Sequence, residues 1–381
     1  MAEKVVRVDT IYTPYQSIHD VSIIIHRGVI AEVRDAGGMP SDVDLRGLSI
    51  APGYIDTHIH GCCGFDVTRS ASVKELNEIS VNLARFGVTS FVPTLVSARH
   101  ENILRVLGLI ISGRRELRGA KAVGIGLEGP YINPERRGAQ NPEVIRVPNL
   151  DELKQYLALA GDMPLLVHVA PELKGAMELI QYAVSQGVVV SVGHTNADYE
   201  TTTRAVALGA SRATHLFDAM KGIHHRDPGT VMALMDNENV YLELIVDLIH
   251  LRPEAVLFAV RYAGSHRIVL VTDAIAAAGL GDGEYELGGL RVTVANGRAT
   301  LPDGTLAGST LTLDRAVRNM ISLGIKPTTA ISMATAVPAL SLGLREVGCL
   351  RPGCAADFVA LDDKYRVVRS FINGENVYSA T

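Results

Sequence analysis

PGYIDTHIH, residues 52–60, reads as a buried strand that ends on two imidazoles, His58 and His60. Side chains two apart on a strand point the same way, roughly 6.5 to 7 Å apart along the backbone, so both rings can lean onto one ion. Alone the motif is weak, because a strand carrying two satisfied polar side chains looks the same. Seven more apolar runs follow it: TSFVPTLV at 89–96, AVGIGLE at 122–128, PLLVHVA at 164–170, VVVSVGH at 188–194, RATHLF at 212–217, YLELIV at 241–246 and RIVLVTD at 267–273. Segments with helical spacing lie between them, such as SVKELNEISVNLARFG, ELKGAMELIQYAVSQG and ADYETTTRAVALGA, the first and last ending near a glycine suited to a C-cap. Strands apolar on both faces and joined by helical crossovers predict a parallel sheet covered on both sides, and eight such units in succession favour a closed (β/α)8 barrel of TIM type. An open doubly wound sheet is the alternative architecture.

The two ends of the chain read differently. Residues 1–50 hold alternating β-type stretches, including SIIIHRGVIAEV with its Arg27-Gly28 turn, and residues 346–381 repeat that style in ADFVALDDKYRVVRSFINGENVY. They predict one small β-sandwich domain, built from both chain ends, beside a barrel spanning 51–345. A β-rich insertion, GEYELGGLRVTVANGRATLPDGTLAGS, occupies about 281–308, and its tip is expected over the barrel mouth.

Composition narrows the function. Hydrophobic content of 47% with 20% charged residues fits a globular chain with a sizeable core. A net charge of -5 and the absence of any Lys/Arg run argue against a nucleic-acid partner. The start, MAEKVVRVDT, lacks the apolar core of a signal peptide, and no stretch of about 18 apolar residues predicts a membrane span. The expected compartment is the cytoplasm. Four cysteines offer neither a disulfide framework nor a CxxC zinc pair; Cys62 and Cys63 follow the HxH directly and read as loop residues or as lining of a metal site.

In such a barrel the C-terminal ends of the strands face the active site. His58 and His60 close the first run, Glu128 the third, His194 the fifth and Asp273 the eighth, while His215 lies near the end of the sixth. Packing does not account for this coincidence, since an ionised carboxylate away from water is costly unless paired or metal-bound. The six predict a metal-dependent hydrolase. His168, within LLVHVA, is either a group behind the ligands or a satisfied core histidine.

The chain resembles the amidohydrolase superfamily and, within it, the N-acetylglucosamine-6-phosphate deacetylase family. The resemblance spans nearly the whole length in PGYIDTHIHG, GLEGPYINPERRGAQNPE, SVGHTNA, THLFDAM, HHRDPG, LVTDAIAAAG, LAGST and GCLRPGCAADFVAL. It implies that Glu128, His194 and His215 hold one divalent ion, zinc before iron or another metal, and that His58 and His60 allow a second, so that each subunit carries one or two. Such an ion brings the pKa of a bound water toward ~7 from about 15.7 and polarises the amide carbonyl. Asp273 is then the general base and afterwards the general acid. The implied substrate is an amino sugar phosphate, contacted by Ala139, Gln140, Asp218, Ala219 and His250, with Leu306, Ala307 and Gly308 closing over the sugar. Arg226 is implied to reach the active site of a neighbouring subunit in a homodimer, where its planar fork suits a phosphate dianion.

Two positions depart from the family pattern. Gln140 stands where His is usual, keeping a neutral donor without a positive charge. Asp218 stands where Asn is usual, bringing a carboxylate toward the phosphate end. Substrate identity therefore stays open toward an unphosphorylated sugar or the galacto epimer. Another amidase of the superfamily, and a non-enzymatic relative, are the remaining readings.

Overall fold

The computed structural model describes residues 3–14, 16–38 and 40–380, so Met1, Ala2 and Thr381, at the outer edges of the expected terminal domain, lie outside the described residues. Eight parallel strands form the barrel: β1 (Tyr54–Ile59), β2 (Val88–Val96), β3 (Ile125–Glu128), β4 (Leu165–Val169), β5 (Val189–Val192), β6 (Arg212–Ala213), β7 (Tyr241–Ile245) and β8 (Ile268–Val271). Each pairs with the next in chain order. The ring closes where Asp273 N–H donates to His58 C=O at 2.9 Å and Ile59 bridges Ala274, which excludes the open sheet.

The apolar runs explain the architecture. Every residue of β2 and β4 is buried, as strands sandwiched between barrel interior and outer helices must be. The helix Val73–Ala84 buries Leu76, Ile79 and Leu83, and the Ser72 hydroxyl accepts from the Glu75 N–H at 3.4 Å to cap its N-terminus. The Glu75 carboxylate reaches back to the Ala71 N–H at 2.8 Å.

The two chain ends join in one eight-stranded hydrogen-bonded sheet. The seam is Ser49–Pro52 antiparallel to Phe358–Leu361, and Pro52 runs directly into β1. Its core includes Val6, Val8, Ile23, Phe358 and Phe371, the last two stacked with ring centroids 4.4 Å apart. At the expected hairpin turn Arg27 and Gly28 have φ of 50° and 80°, the twist that matches the flanking strands. A Cβ on Gly28 would stand 2.9 Å from the Asn373 Cβ, so the sheet needs glycine there. One sequence expectation is corrected here: Cys349 and Cys354, five apart around the turn Leu350–Gly353, are joined by a disulfide. The spacing closes a local loop without any wider framework.

The insertion forms three antiparallel strands, Gly283–Leu287, Leu290–Ala295 and Arg298–Thr300, before the helix Leu313–Ser322. Val292, Val294, Ala299, Ala307 and Ile275 form its own small core, which seats it against the barrel rim. Among the described residues no helix is long and apolar enough to cross a membrane.

Candidate active site

The strand ends bring the six rim residues together. His58 lies inside β1, His60 just beyond it, and Glu128 is the last residue of β3. His194 and Asp273 stand two residues past their strands. So does His215, which the sequence had placed within its strand; β6 stops at Ala213. His194, Asp273 and His215 have φ of 48°, 49° and 26°. L-residues rarely adopt such a backbone, and here it turns the chain sharply as it leaves the barrel.

Glu128 is the hub. Its Oε1 lies 2.9 Å from His194 Nε2, 2.8 Å from His215 Nε2 and 3.5 Å from His58 Nε2, and its Oε2 is 3.1 Å from His60 Nε2. Asp273 Oδ1 lies 2.9 Å from His60 Nε2 and 3.5 Å from His58 Nε2. The donors fall into two sets sharing Glu128: one with His194 and His215, the other with His58, His60 and Asp273.

The hydrogen bonds behind the rings show that a cation fits. His194 Nδ1 faces the Arg136 carbonyl at 2.7 Å and His60 Nδ1 the Thr94 carbonyl at 2.9 Å. A carbonyl only accepts, so each ring donates from Nδ1 and, when neutral, presents a lone pair at Nε2. Those lone pairs point at carboxylate oxygens about 3 Å away, an arrangement that repels unless positive charge lies between. Protonation would supply the same charge: burial opposes charging His60 and His215, yet Glu128 and Asp273 override it and hold the rings up at about 10 and about 9. Conversely, burial would neutralise Asp273, but His60 and His58 keep its carboxyl below the usual range.

A cavity of about 340 Å³ opens over this cluster. Ala139, Gln140, Asp218, Ala219, His250, Leu306 and Gly308 line it, as do His60, Glu128, His194, His215 and Asp273. Ala307 faces the core of the insertion. Arg226 lies on an exposed loop outside this lining, its guanidinium against His225. Gln140 donates to Glu128 Oε2 at 2.7 Å and accepts from the Ser97 N–H at 2.6 Å, so its amide steadies the hub. Asp218 Oδ2 is buried with no hydrogen-bond partner, and burial pushes its carboxyl up. Burial opposes charging His250, but the 2.8 Å contact of its Nδ1 with Asp247 raises its pKa.

His168 is wholly buried, edge-on to His58 with centroids 4.9 Å apart, its Nδ1 3.2 Å from Thr214 Oγ1. Cys62 and Cys63 belong to neither donor set and do not line the cavity. The Cys62 thiol points instead to the Ile79 carbonyl at 3.7 Å.

Sequence reasoning missed four polar groups. Glu135 and Arg136 line the cavity, Arg136 being the one Lys or Arg in that lining. Arg212 and Glu243 form a fully buried ion pair at 2.7 Å behind His58. Burial alone would raise the Glu243 carboxyl, but Arg212 and His58 hold it well below the carboxylate range. The available signal was a charge inside RATHLF and another inside YLELIV.

Comparison with known proteins finds relatives over nearly the whole chain. The amidohydrolase family pattern matches residues 49–377. An N-acetylgalactosamine-6-phosphate deacetylase of Escherichia coli O157:H7 is 39% identical over 375 residues, 97% of this chain and 98% of that protein. An N-acetylglucosamine-6-phosphate deacetylase of Bacillus subtilis (strain 168) is 37% identical over 334 residues, 85% of this chain and 83% of that one. The solved structure of a mutant N-acetyl-D-glucosamine-6-phosphate deacetylase from Mycobacterium smegmatis, in complex with N-acetyl-D-glucosamine-6-phosphate, superposes with a TM-score of 0.94 at 33% identity, covering 100% of both chains.

Proposed function

The chain belongs to the amidohydrolase family, and on that premise we propose that it hydrolyses the acetamide of N-acetylglucosamine 6-phosphate, giving glucosamine 6-phosphate and acetate. The observation that carries the reading is the convergence of four imidazoles on Glu128, two of them also on Asp273, beneath one cavity. Glu128, His194 and His215 would hold one divalent ion, with His58 and His60 available to a second. Imidazole and carboxylate donors suit zinc. A bound ion supplies the acidity that water needs at neutral pH and polarises the acetamide carbonyl.

The chain's own groups do the rest. Asp273 takes the proton from the attacking water through its carboxylate and returns it to the departing amine. The acetamide end of the substrate faces the ligands, and the sugar phosphate faces Asp218, Ala219 and His250, beneath Leu306 and Gly308, while Ala307 packs behind them in the core of the insertion. The lining carries four carboxylates, Glu128, Glu135, Asp218 and Asp273, against Arg136. A phosphate dianion entering it needs added positive charge. Arg226 of a neighbouring subunit in a homodimer would supply it, consistent with the exposed position of that residue. Gln140 holds Glu128 in place through its amide, which is engaged with Glu128 and the Ser97 N–H. We place the enzyme in the cytoplasm, where a charged sugar phosphate is retained because burying its charge in a bilayer is costly. The division into a terminal domain of 1–50 with 346–381 and a barrel of 51–345, with its insertion at about 281–308, belongs to the same proposal.

A second reading, the galacto epimer as substrate, is favoured by the Escherichia coli relative and by Asp218, whose free oxygen changes what the sugar end can accept. Acetate release from both N-acetylated 6-phosphates and both unphosphorylated sugars tests the proposal. The larger kcat/KM is expected on a phosphorylated sugar; equal rates without phosphate would contradict it.

A further inference from the structure

Two buried charges have no task in the chemistry above. Arg212 and Glu243 are both 0% exposed and pair through Nη2 and Oε1. A buried ion pair is weak evidence of stabilisation, because desolvation offsets much of the attraction. Its contacts are more informative. The other carboxylate oxygen, Glu243 Oε2, accepts from His58 Nδ1–H at 3.0 Å and from the His215 backbone N–H at 3.1 Å. One oxygen therefore touches a member of each donor set. Arg212 Nη2 also donates to Thr57 Oγ1 at 2.8 Å, the residue before His58, and its Nη1 donates to Ser341 Oγ.

We propose that Arg212 and Glu243 are positioning residues for the metal centre: the guanidinium fixes the carboxylate, and the carboxylate holds the His58 proton on Nδ1, offering Nε2 to the second ion. The front of the ring agrees. His58 Nε2 is buried without a hydrogen-bond partner, 3.5 Å from both Glu128 Oε1 and Asp273 Oδ1. A cation among these three atoms satisfies them together. The rear contacts also differ in kind. His60 and His194 lean on neutral carbonyls, whereas His58 leans on a charged carboxylate, which makes its ring the stronger electron donor. Without this support the second set loses the contact that orients a ligating ring, whereas the first set loses only a backbone contact, at the His215 N–H, and its side chains keep theirs to Glu128.

The inference rests on the metal reading under Proposed function, and one experiment separates them. Metal-free wild type and Glu243→Gln are dialysed against Zn²⁺ at a series of buffered free concentrations, bound zinc is counted per chain, and thermal unfolding is followed alongside. The Gln side chain keeps the shape, but it turns a donor toward either Arg212 or His58. Wild type is expected to take two ions, and the variant to keep the tighter one while the second weakens roughly 10- to 100-fold. Equal binding of the second ion by both proteins, or a single ion in wild type, overturns the inference and leaves the hydrolase reading standing. No zinc in wild type overturns both. If the variant does not fold, ¹⁵N-histidine NMR of zinc-loaded wild type decides: hydrogen on His58 Nδ1 supports the inference, and hydrogen on Nε2 overturns it.

Discussion

The barrel rim and the sheet of chain ends are both made of buried strands, yet they bury different things. At the rim, imidazoles and carboxylates lie in van der Waals contact with one another, and Glu128, His194, His215 and Asp273 are each less than a tenth exposed. The end sheet buries Val6, Val8, Ile23, Phe358 and Phe371, groups that need no partner beyond close packing. Charge concentrated out of water is unstable without a compensating charge, so the rim is organised for chemistry at a cost to stability, and the end sheet gives stability without chemistry. Substitutions in the two regions should therefore move different observables.

Asp273→Asn should make the largest change. It removes the proton carrier while leaving shape intact, so kcat should fall about a hundred- to ten-thousand-fold with the thermal midpoint little changed. A fall in stability with activity preserved per folded molecule would reverse the assignment. Phe371→Ala is the counterpart in the end sheet: the lost stack with Phe358 and the cavity left behind should cost about 3–5 kcal/mol in denaturant unfolding, with kcat of the folded fraction unchanged. A direct loss of kcat there would show that the end sheet takes part in the site. Asp218→Asn sharpens the comparison within the rim. Removing a carboxylate with one buried, unpartnered oxygen from the sugar-phosphate end should raise the kcat/KM preference for a phosphorylated over an unphosphorylated sugar about tenfold. An unchanged ratio would remove Asp218 from phosphate discrimination. The smallest effect belongs to Ser72→Ala, which deletes a helix cap that belongs to neither the donor sets nor the end-sheet core and should cost about 1 kcal/mol without kinetic consequence.

The sequence carried the barrel because β2 and β4 are buried on both faces, leaving uninterrupted apolar runs that alternation does not explain. The rim residues were legible for a related reason: a polar side chain ending such a run stands out. Strand ends were less clear, and His215 falls past its strand because the backbone turns there to a positive φ, which composition does not announce. Arg212 and Glu243 escaped notice because a charge inside an apolar run takes its meaning from a partner on another strand. Gln140 was read through an expected contact with substrate, whereas its amide is held between Glu128 and Ser97. The Cys349–Cys354 pairing was missed because two thiols five apart become a disulfide only when the intervening turn brings their Cα atoms to 6.2 Å.

The central claim is that the rim cluster is a metal centre that deacetylates an amino sugar 6-phosphate. The most direct test is acetate release from N-acetylglucosamine 6-phosphate and its galacto epimer by metal-stripped protein, before and after addition of Zn²⁺. The account predicts negligible turnover without metal and restored turnover on at least one epimer with it; full acetate release by the stripped protein would contradict it.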